Sequence, residues 1–239
     1  MLKFIHAADF HMDSAFGALS ASQAASRRRE SRELGFRLAE YVNSHEIDLV
    51  LLAGDLFDST GAFRETGEQL AAALRRMQAK VFVSPGNHDW YGPGSPWVTV
   101  QWPGNVHVFS TGQMTAVDLP EWNLTVHGAA FTGPEQAAGM LTGFVAPSDG
   151  RIHVGVLHGL TYLALGHIHR RTESQTFGTT VCAWPGCPEG RGFDELGEKG
   201  FYEGTLSESG QVSLTFIPFA RRRYEILEVD VTGRDPRAA

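Results

Sequence analysis

A chain of 239 residues, 42% hydrophobic and 20% charged, has the make-up of a globular protein with room for one sizeable α/β core. Its net charge of −7 argues against a general nucleic-acid binder, and no stretch reaches the roughly 20 apolar residues of a membrane helix. The two cysteines, Cys182 and Cys187, make neither a disulfide framework nor a structural zinc site.

The opening "MLKFIHAADFH" has one lysine and a short apolar run that soon meets a charge. It does not read as a signal peptide, so a cytoplasmic location is expected. Residues 2–8 predict a buried strand. Residues 24–45 predict an amphipathic helix, with Leu34, Leu38, Tyr41 and Val42 at helical spacing. "IDLVLLA" (47–53) predicts a strand buried on both faces. A second helix is expected over 64–79, with Leu70, Ala73, Leu74 and Met77 on one face, and a third strand over 80–85. This βαβαβ order implies a parallel sheet with right-handed crossovers. The second half is strand-rich: about 105–110, 114–119, 124–131, 151–158, 162–168, 179–184, 200–207, 211–219 and 224–231, with a hairpin at "SESG" (207–210). No repeat or linker divides the chain, so 1–239 is read as one domain, a sandwich of two mixed sheets covered by helices.

One connection is too short. A parallel strand following the one that ends at His158 needs a crossover of about a dozen residues or more. "GLT" can make only a tight reversal and an antiparallel pair. In that hairpin His158 and His167 would lie about 20 Å apart. If they share a site, a segment is missing near residues 159–162.

The strand ends carry the chemistry. The first three end in "DFH" (Asp9, His11), "GDLFD" (Gly54, Asp55, Asp58) and "GNHD" (Gly86, Asn87, His88, Asp89), and later runs end in His158 and in His167 with His169. In open α/β sheets, sites form beyond the carboxyl ends of the strands. Asp9 and His11, like His167 and His169, stand two apart and so share a side. Gly54, Gly86 and Gly166 let the backbone turn where the ligands converge. Each motif alone is as well explained by a turn or a core residue; the five together, each closing an apolar strand, are not. Carboxylate, imidazole and amide donors without thiolate suit Mn²⁺, Fe or Zn²⁺. So many ligands exceed one ion and suit two, bridged by one carboxylate and about 3.5–4 Å apart, a pair that activates water for in-line displacement at phosphorus.

The series Asp9-x-His11, Gly54-Asp55-x-x-Asp58, Gly86-Asn87-His88-Asp89, His158-Gly159 and Gly166-His167-x-His169 resembles the calcineurin-like metallophosphoesterase superfamily. "HAADFHMDSAF", "YLALGHIHR" and "WPGCPEGRGFDELGEKGFY" (184–202) resemble its SbcD-type DNA repair exonuclease branch. The resemblance implies an α/β fold of metallophosphoesterase type, a sandwich of two mixed β-sheets flanked by helices. It implies Asp9, His11 and His169 as ligands of one metal, Asn87, His158 and His167 as ligands of the other, and Asp55 as the bridge, with Mn²⁺ ahead of Fe or Zn. His88 then faces the substrate phosphate as general acid or transition-state stabiliser. Asp89 is placed beside His88 to orient it, so that Asp89→Asn lowers turnover and leaves metal content intact. The implied activity is that of a Mn²⁺-dependent DNA exonuclease. The alternatives are a phosphatase or small-molecule phosphodiesterase, or a nuclease-like subunit that binds DNA ends and an SbcC-type ATPase partner. Compared with that family, the chain is expected to lack the segment between the His-Gly and Gly-His-x-His strands, and the capping domain of the larger relatives is not expected within residues 1–239.

The remaining candidates are read as structural. His6 packs near the site; His45, His107, His127 and His153 are core or surface residues. Trp184, Arg191 and Phe193 are assigned turn and core roles, ahead of the alternative that they shape the rim of the site. The arginine runs 27–29, 170–171 and 221–223 are solvated faces rather than phosphate tracks.

Overall fold

The computed structural model describes residues 1–135, 140–141, 143–156, 162–178 and 180–228. Its first half runs β1 (Leu2–Ala7), α1 (Ala21–Ser44), β2 (Leu49–Leu52), α2 (Arg64–Arg75), β3 (Lys80–Val83), a single-turn α3 (Pro96–Thr99) and β4 (Val106–Val108). Helix α1 starts earlier than its apolar spacing indicates, because Ser20 and Gln23 form a reciprocal capping box. Helix α2 ends at Arg75, short of the expected 79. Strands β1 to β4 are parallel neighbours, as the alternation of strands and helices requires.

The second half supplies β5 (Thr115–Leu119), β6 (Leu124–Gly128), β7 (Ile152–Val156), β8 (Tyr162–Ala164), β9 (Gln175–Phe177), β10 (Thr180–Ala183), β11 (Gly200–Leu206) and β12 (Val212–Pro218). Strands β11 and β12 form the expected hairpin, and β11 returns antiparallel to β1. Two six-stranded mixed sheets result, ordered β12-β11-β1-β2-β3-β4 and β5-β6-β7-β8-β10-β9. Strand β9, three exposed residues without apolar alternation, was not expected; it exists as the hairpin partner of β10. Of the run expected as a strand over 224–231, the described part holds only an isolated bridge from Tyr224 to Gly197.

Period-two alternation sorts the core. Phe4, Leu49, Leu51 and Phe82 point toward the second sheet and meet Leu124, Val126, Val154 and Val156. Ile5, Val50, Leu52 and Val81 point the other way and meet Leu34, Leu38 and Val42 of α1 and Leu70 and Leu74 of α2. A small cluster of Leu163, Leu165 and Cys182 with Trp184 stands apart from both.

Strands β7 and β8 pair in parallel, Val154 with Tyr162 and Gly155 with Leu163, not as the antiparallel hairpin the short connection suggested. Only residues 157–161 join them. His158 and the expected missing segment fall there and lie outside the described residues. The parallel pairing aims the end of β8 at the same edge as β1, β2 and β3.

Leu51 is fully buried between the sheets. Leu51→Ala is expected to cost about 2–5 kcal/mol of stability, read by urea unfolding. A loss below about 1 kcal/mol would mean that the sheet–sheet layer is not the packed core.

Candidate metal centre

The loops after β1 and β2 stay zipped beyond their strands. Asp9 N donates to the Gly54 carbonyl at 3.0 Å, His11 N to that of Asp55 at 2.9 Å, and Met12 N to that of Leu56 at 2.9 Å. The β3 loop is tied in by Asp89, which is fully buried. Its Oδ1 accepts from Gly86 N (2.7 Å) and Asp55 N (3.2 Å), and its Oδ2 from Leu56 N (2.9 Å) and Phe57 N (3.2 Å). Burial, then the Asp55 charge, push its pKa up to about 7, against the pull of those N–H groups. Asp89 therefore joins two loops and makes no contact with His88 among these bonds, which corrects the orienting role expected of it.

The glycines act in two ways. Gly54 has φ +85°. Gly86 and Gly166 permit close approach: a Cβ on Gly86 would lie 2.1 Å from Asp55 Oδ1, and one on Gly166 would lie 1.8 Å from the Ala53 carbonyl oxygen. Asp9, His11, Asp55 and His167 all have left-handed backbones, with φ of 57°, 44°, 52° and 75°. Such strain, about 1–3 kcal/mol per residue, persists where the surroundings over-determine it and gathers at functional sites.

Asp9, His11 and His169 each bring one donor atom to a common point, all within 4.8 Å of one another. The Nε2 atoms of His11 and His169 are 3.0 Å apart, which two bare lone pairs would not choose without a cation or proton between them. Asp9 Oδ1 accepts from His167 N at 2.8 Å, while its Oδ2 is buried with no partner. An orphaned carboxylate oxygen beside two converging imidazoles fits a divalent cation. Asp55 Oδ2 stands 4.0 Å from His11 Nε2, and its Oδ1 accepts from His88 N at 2.9 Å.

Asp55, Asn87 and His167 line one cavity of about 70 Å³ beside that cluster. These are three of the four residues expected around the second ion; the fourth, His158, lies outside the described residues. His88 is exposed, its ring 4.9 Å from that of His11. Its Nδ1 is 3.2 Å from the Asp58 carbonyl oxygen, an acceptor that assigns a proton to Nδ1.

Three further side chains stand at the site: Glu195, which was not expected there, Asp58, which closed an expected motif without an assigned role, and Arg191, whose rim role ranked behind turn and core ones. Glu195 Oε1 accepts from His169 Nδ1 at 2.7 Å. Asp58 Oδ1 lies 3.2 Å from His11 Nδ1, a bent contact that leaves this nitrogen without a well-aligned partner. Arg191, assigned a turn or core role, reaches both carboxylates. Burial favours the neutral form of Glu195, but the hydrogen bonds from His169 and Arg191 outweigh it and hold its carboxyl far below the usual range. The same bond raises the pKa of His169. Burial lowers that of His11. His6 is buried and bonds the Leu165 carbonyl at 3.1 Å, just before Gly166.

Comparison with known proteins agrees with this geometry. The family model for calcineurin-like phosphoesterases matches residues 2–136. The chain belongs to that family. It is 30% identical over 271 aligned positions to YhaO of Bacillus subtilis, an uncharacterized metallophosphoesterase, covering 97% of this chain and 64% of the relative. It is 23% identical over 279 positions to the DNA double-strand break repair protein Mre11 of Methanopyrus kandleri, covering 97% and 60%. The chain thus spans less than two thirds of either relative. A Staphylococcus aureus structure described as a candidate 5′-nucleotidase with alpha-ketoglutarate superposes with a TM-score of 0.51 at 16% identity, covering 95% of this chain and 56% of the other. That likeness shows the fold.

Asp89→Asn keeps one acceptor oxygen and leaves two buried N–H groups unpaired, at about 1–3 kcal/mol each. The expected result is a loss of about 2–6 kcal/mol together with lowered metal content by elemental analysis; unchanged stability would contradict the joining role. Burial raises the Asp9 pKa to about 7, so the folded chain holds this proton more tightly than the unfolded chain does. Its contribution is present below pH ~4 and is lost as pH rises toward ~7. In EDTA, Asp9→Asn is expected to stabilise the protein at pH 8 by on the order of 1–4 kcal/mol and to change little at pH 4. An equal effect at both pH values would contradict the burial account.

Proposed function

We propose that this chain is a two-metal phosphodiesterase that cleaves DNA. The observation that carries the reading is the convergence of Asp9, His11 and His169 around one point, at the edge where Asp55, Asn87 and His167 line the adjoining cavity. Asp9, His11 and His169 would hold one divalent ion, Asn87, His158 and His167 the other, and Asp55 would serve both, with Mn²⁺ ahead of Fe or Zn. Two such ions supply Lewis acidity that makes water a competent nucleophile near neutral pH. Asp55 Oδ1, by accepting from His88 N, fixes where that imidazole begins. The Asp58 carbonyl fixes its Nδ1 proton. Carrying a second proton on Nε2, the His88 imidazolium would donate to a phosphate oxygen or protonate a leaving group and be left as the Nδ1–H imidazole. Supporting DNA as substrate are the likeness to Mre11 and the SbcD-type motifs. An SbcC-type ATPase is the partner that this reading suggests.

A small phosphoester is the second reading, and charge favours it. The C-terminal arginine run is committed to acids: Arg221 pairs with Glu33, Arg222 with Glu30 and Arg223 with Glu225. Arg27 is buried against the Gly190 carbonyl. Cations so engaged make a poor phosphate track.

The test is cleavage of duplex and single-stranded DNA by the purified chain in Mn²⁺, beside a chromogenic diester and monoester. DNA degradation is expected, abolished by EDTA and lowered about 10²–10⁴-fold by Asp55→Ala and His88→Ala. Diester or monoester turnover with DNA intact would overturn the nuclease reading and favour the second.

A further inference from the structure

We propose that Arg191 is a positioning residue that sets the imidazoles of the metal centre through two carboxylates and through its own 3.0 Å contact with His169 Nδ1, without touching substrate. The inference rests on the metal-centre reading above. One guanidinium spans both acids: Nη2 and Nε lie 2.9 and 3.2 Å from Glu195 Oε1, and Nη1 lies 3.3 Å from Asp58 Oδ1. The backbone N–H of Arg191 adds a bond to Glu195 Oε2 at 2.7 Å. Each acid faces a different ring, Glu195 the Nδ1 of His169 at 2.7 Å and Asp58 the Nδ1 of His11 at 3.2 Å. The main-chain carbonyl of the same Asp58 faces Nδ1 of His88. Glu195 thereby fixes His169 with the proton on Nδ1, leaving its Nε2 lone pair for the site, while Asp58 flanks the buried Nδ1 of His11 and holds Nδ1 of His88 through its carbonyl. A planar fork can hold two carboxylates at once in fixed directions, and an ammonium cannot. Serine reinforces one arm: Ser14 Oγ donates to Asp58 Oδ1 at 2.9 Å and lies 3.5 Å from Arg191 Nη1.

Charge alone makes the opposite prediction. Arg191 is a cation beside a cation site, and its removal leaves Glu195 and Asp58 uncompensated, which would attract a metal ion more strongly. If the arginine acts by holding the acids in place, its removal weakens metal binding instead. If it binds substrate phosphate, its removal raises KM and leaves metal affinity unchanged or tighter.

The experiment is calorimetric titration of the metal-stripped full chain with MnCl₂, for wild type, Arg191→Ala, Arg191→Gln, Arg191→Lys, Glu195→Ala and the Arg191→Ala/Glu195→Ala pair. Expected is a loss of Mn²⁺ affinity of about 10–100-fold for Arg191→Ala, not restored by lysine, with the double variant weaker than Glu195→Ala alone by less than the full Arg191→Ala loss, because the Asp58 arm remains. Unchanged or tighter Mn²⁺ binding in both Arg191→Ala and Arg191→Gln overturns the proposal, as does simple additivity with Glu195→Ala. Imidazole ¹⁵N shifts of the metal-free protein give a second reading. Wild type is expected to hold His169 as the Nδ1–H tautomer and Arg191→Gln to populate both; an unchanged tautomer in Arg191→Gln also overturns it. Neither readout involves substrate, so a chain that binds Mn²⁺ and cuts no DNA fails only the nuclease reading. If wild type takes up no Mn²⁺, the metal reading falls and the tautomers still decide the role of Arg191.

Discussion

The site depends on one carboxylate that touches no donor of the metal cluster. Asp89 gathers four backbone N–H groups from the β2 and β3 loops, and the β2 loop in turn carries the β1 loop through its carbonyls. Without that acceptor, several buried amides would face one another across the strand ends with nothing to satisfy them. With it, Asp55 is set on a left-handed backbone and Asp9 and His11 are pinned opposite. The placement of Asp9, His11 and Asp55 here is a consequence of main-chain hydrogen bonding.

The second sheet reaches this frame by few threads. The buried His6 takes hold of the Leu165 carbonyl, and Asp9 takes the amide of His167. These contacts cross from β1 to the end of β8 and seat Gly166 against the Ala53 carbonyl, where no side chain fits. His169 then arrives beside His11, and the loop that follows β10 closes over it with Glu195 and Arg191. Cys187, buried under Glu195 and the His169 carbonyl, has its thiol pushed up to about 12 by burial and serves as packing rather than as a nucleophile.

What could be read from the sequence followed from period and order. The parallel β1-β2-β3 core and the faces of α1 and α2 come directly from apolar spacing, and the strand-end motifs name Asp9, His11, Asp55, Asn87, His88, His167 and His169 because each closes such a run. The start of α1 was legible too, in the Ser20-x-x-Gln23 capping box, but apolar spacing alone passes over it. Strand β9 was not legible: three exposed residues become a strand only because β10 offers an edge. Glu195 and Arg191 were hidden for a different reason. They sit in "PEGRGFDELGEKG", where acids and bases are dense and no strand end marks them. Their role depends on contacts with residues as far off as Ser14, 177 positions away.

That distance has a bearing on how the protein comes into being. The frame from Asp9 to Asp89 is built within the first ninety residues, from neighbours such as Asp55 and Asp89, 34 apart. The imidazole pair joins positions 158 apart, and the arginine fork joins Asp58 to a residue 133 further on. Contacts so far apart in sequence close late in folding, because the chain must lose its loop entropy before they give anything back. An emerging chain therefore has half a cage, with carboxylates in place and the second imidazole still to come. Holding a cation between the two imidazoles thus requires both halves of the chain, since His11 and the carboxylates come from the first ninety residues and His169 from the second half.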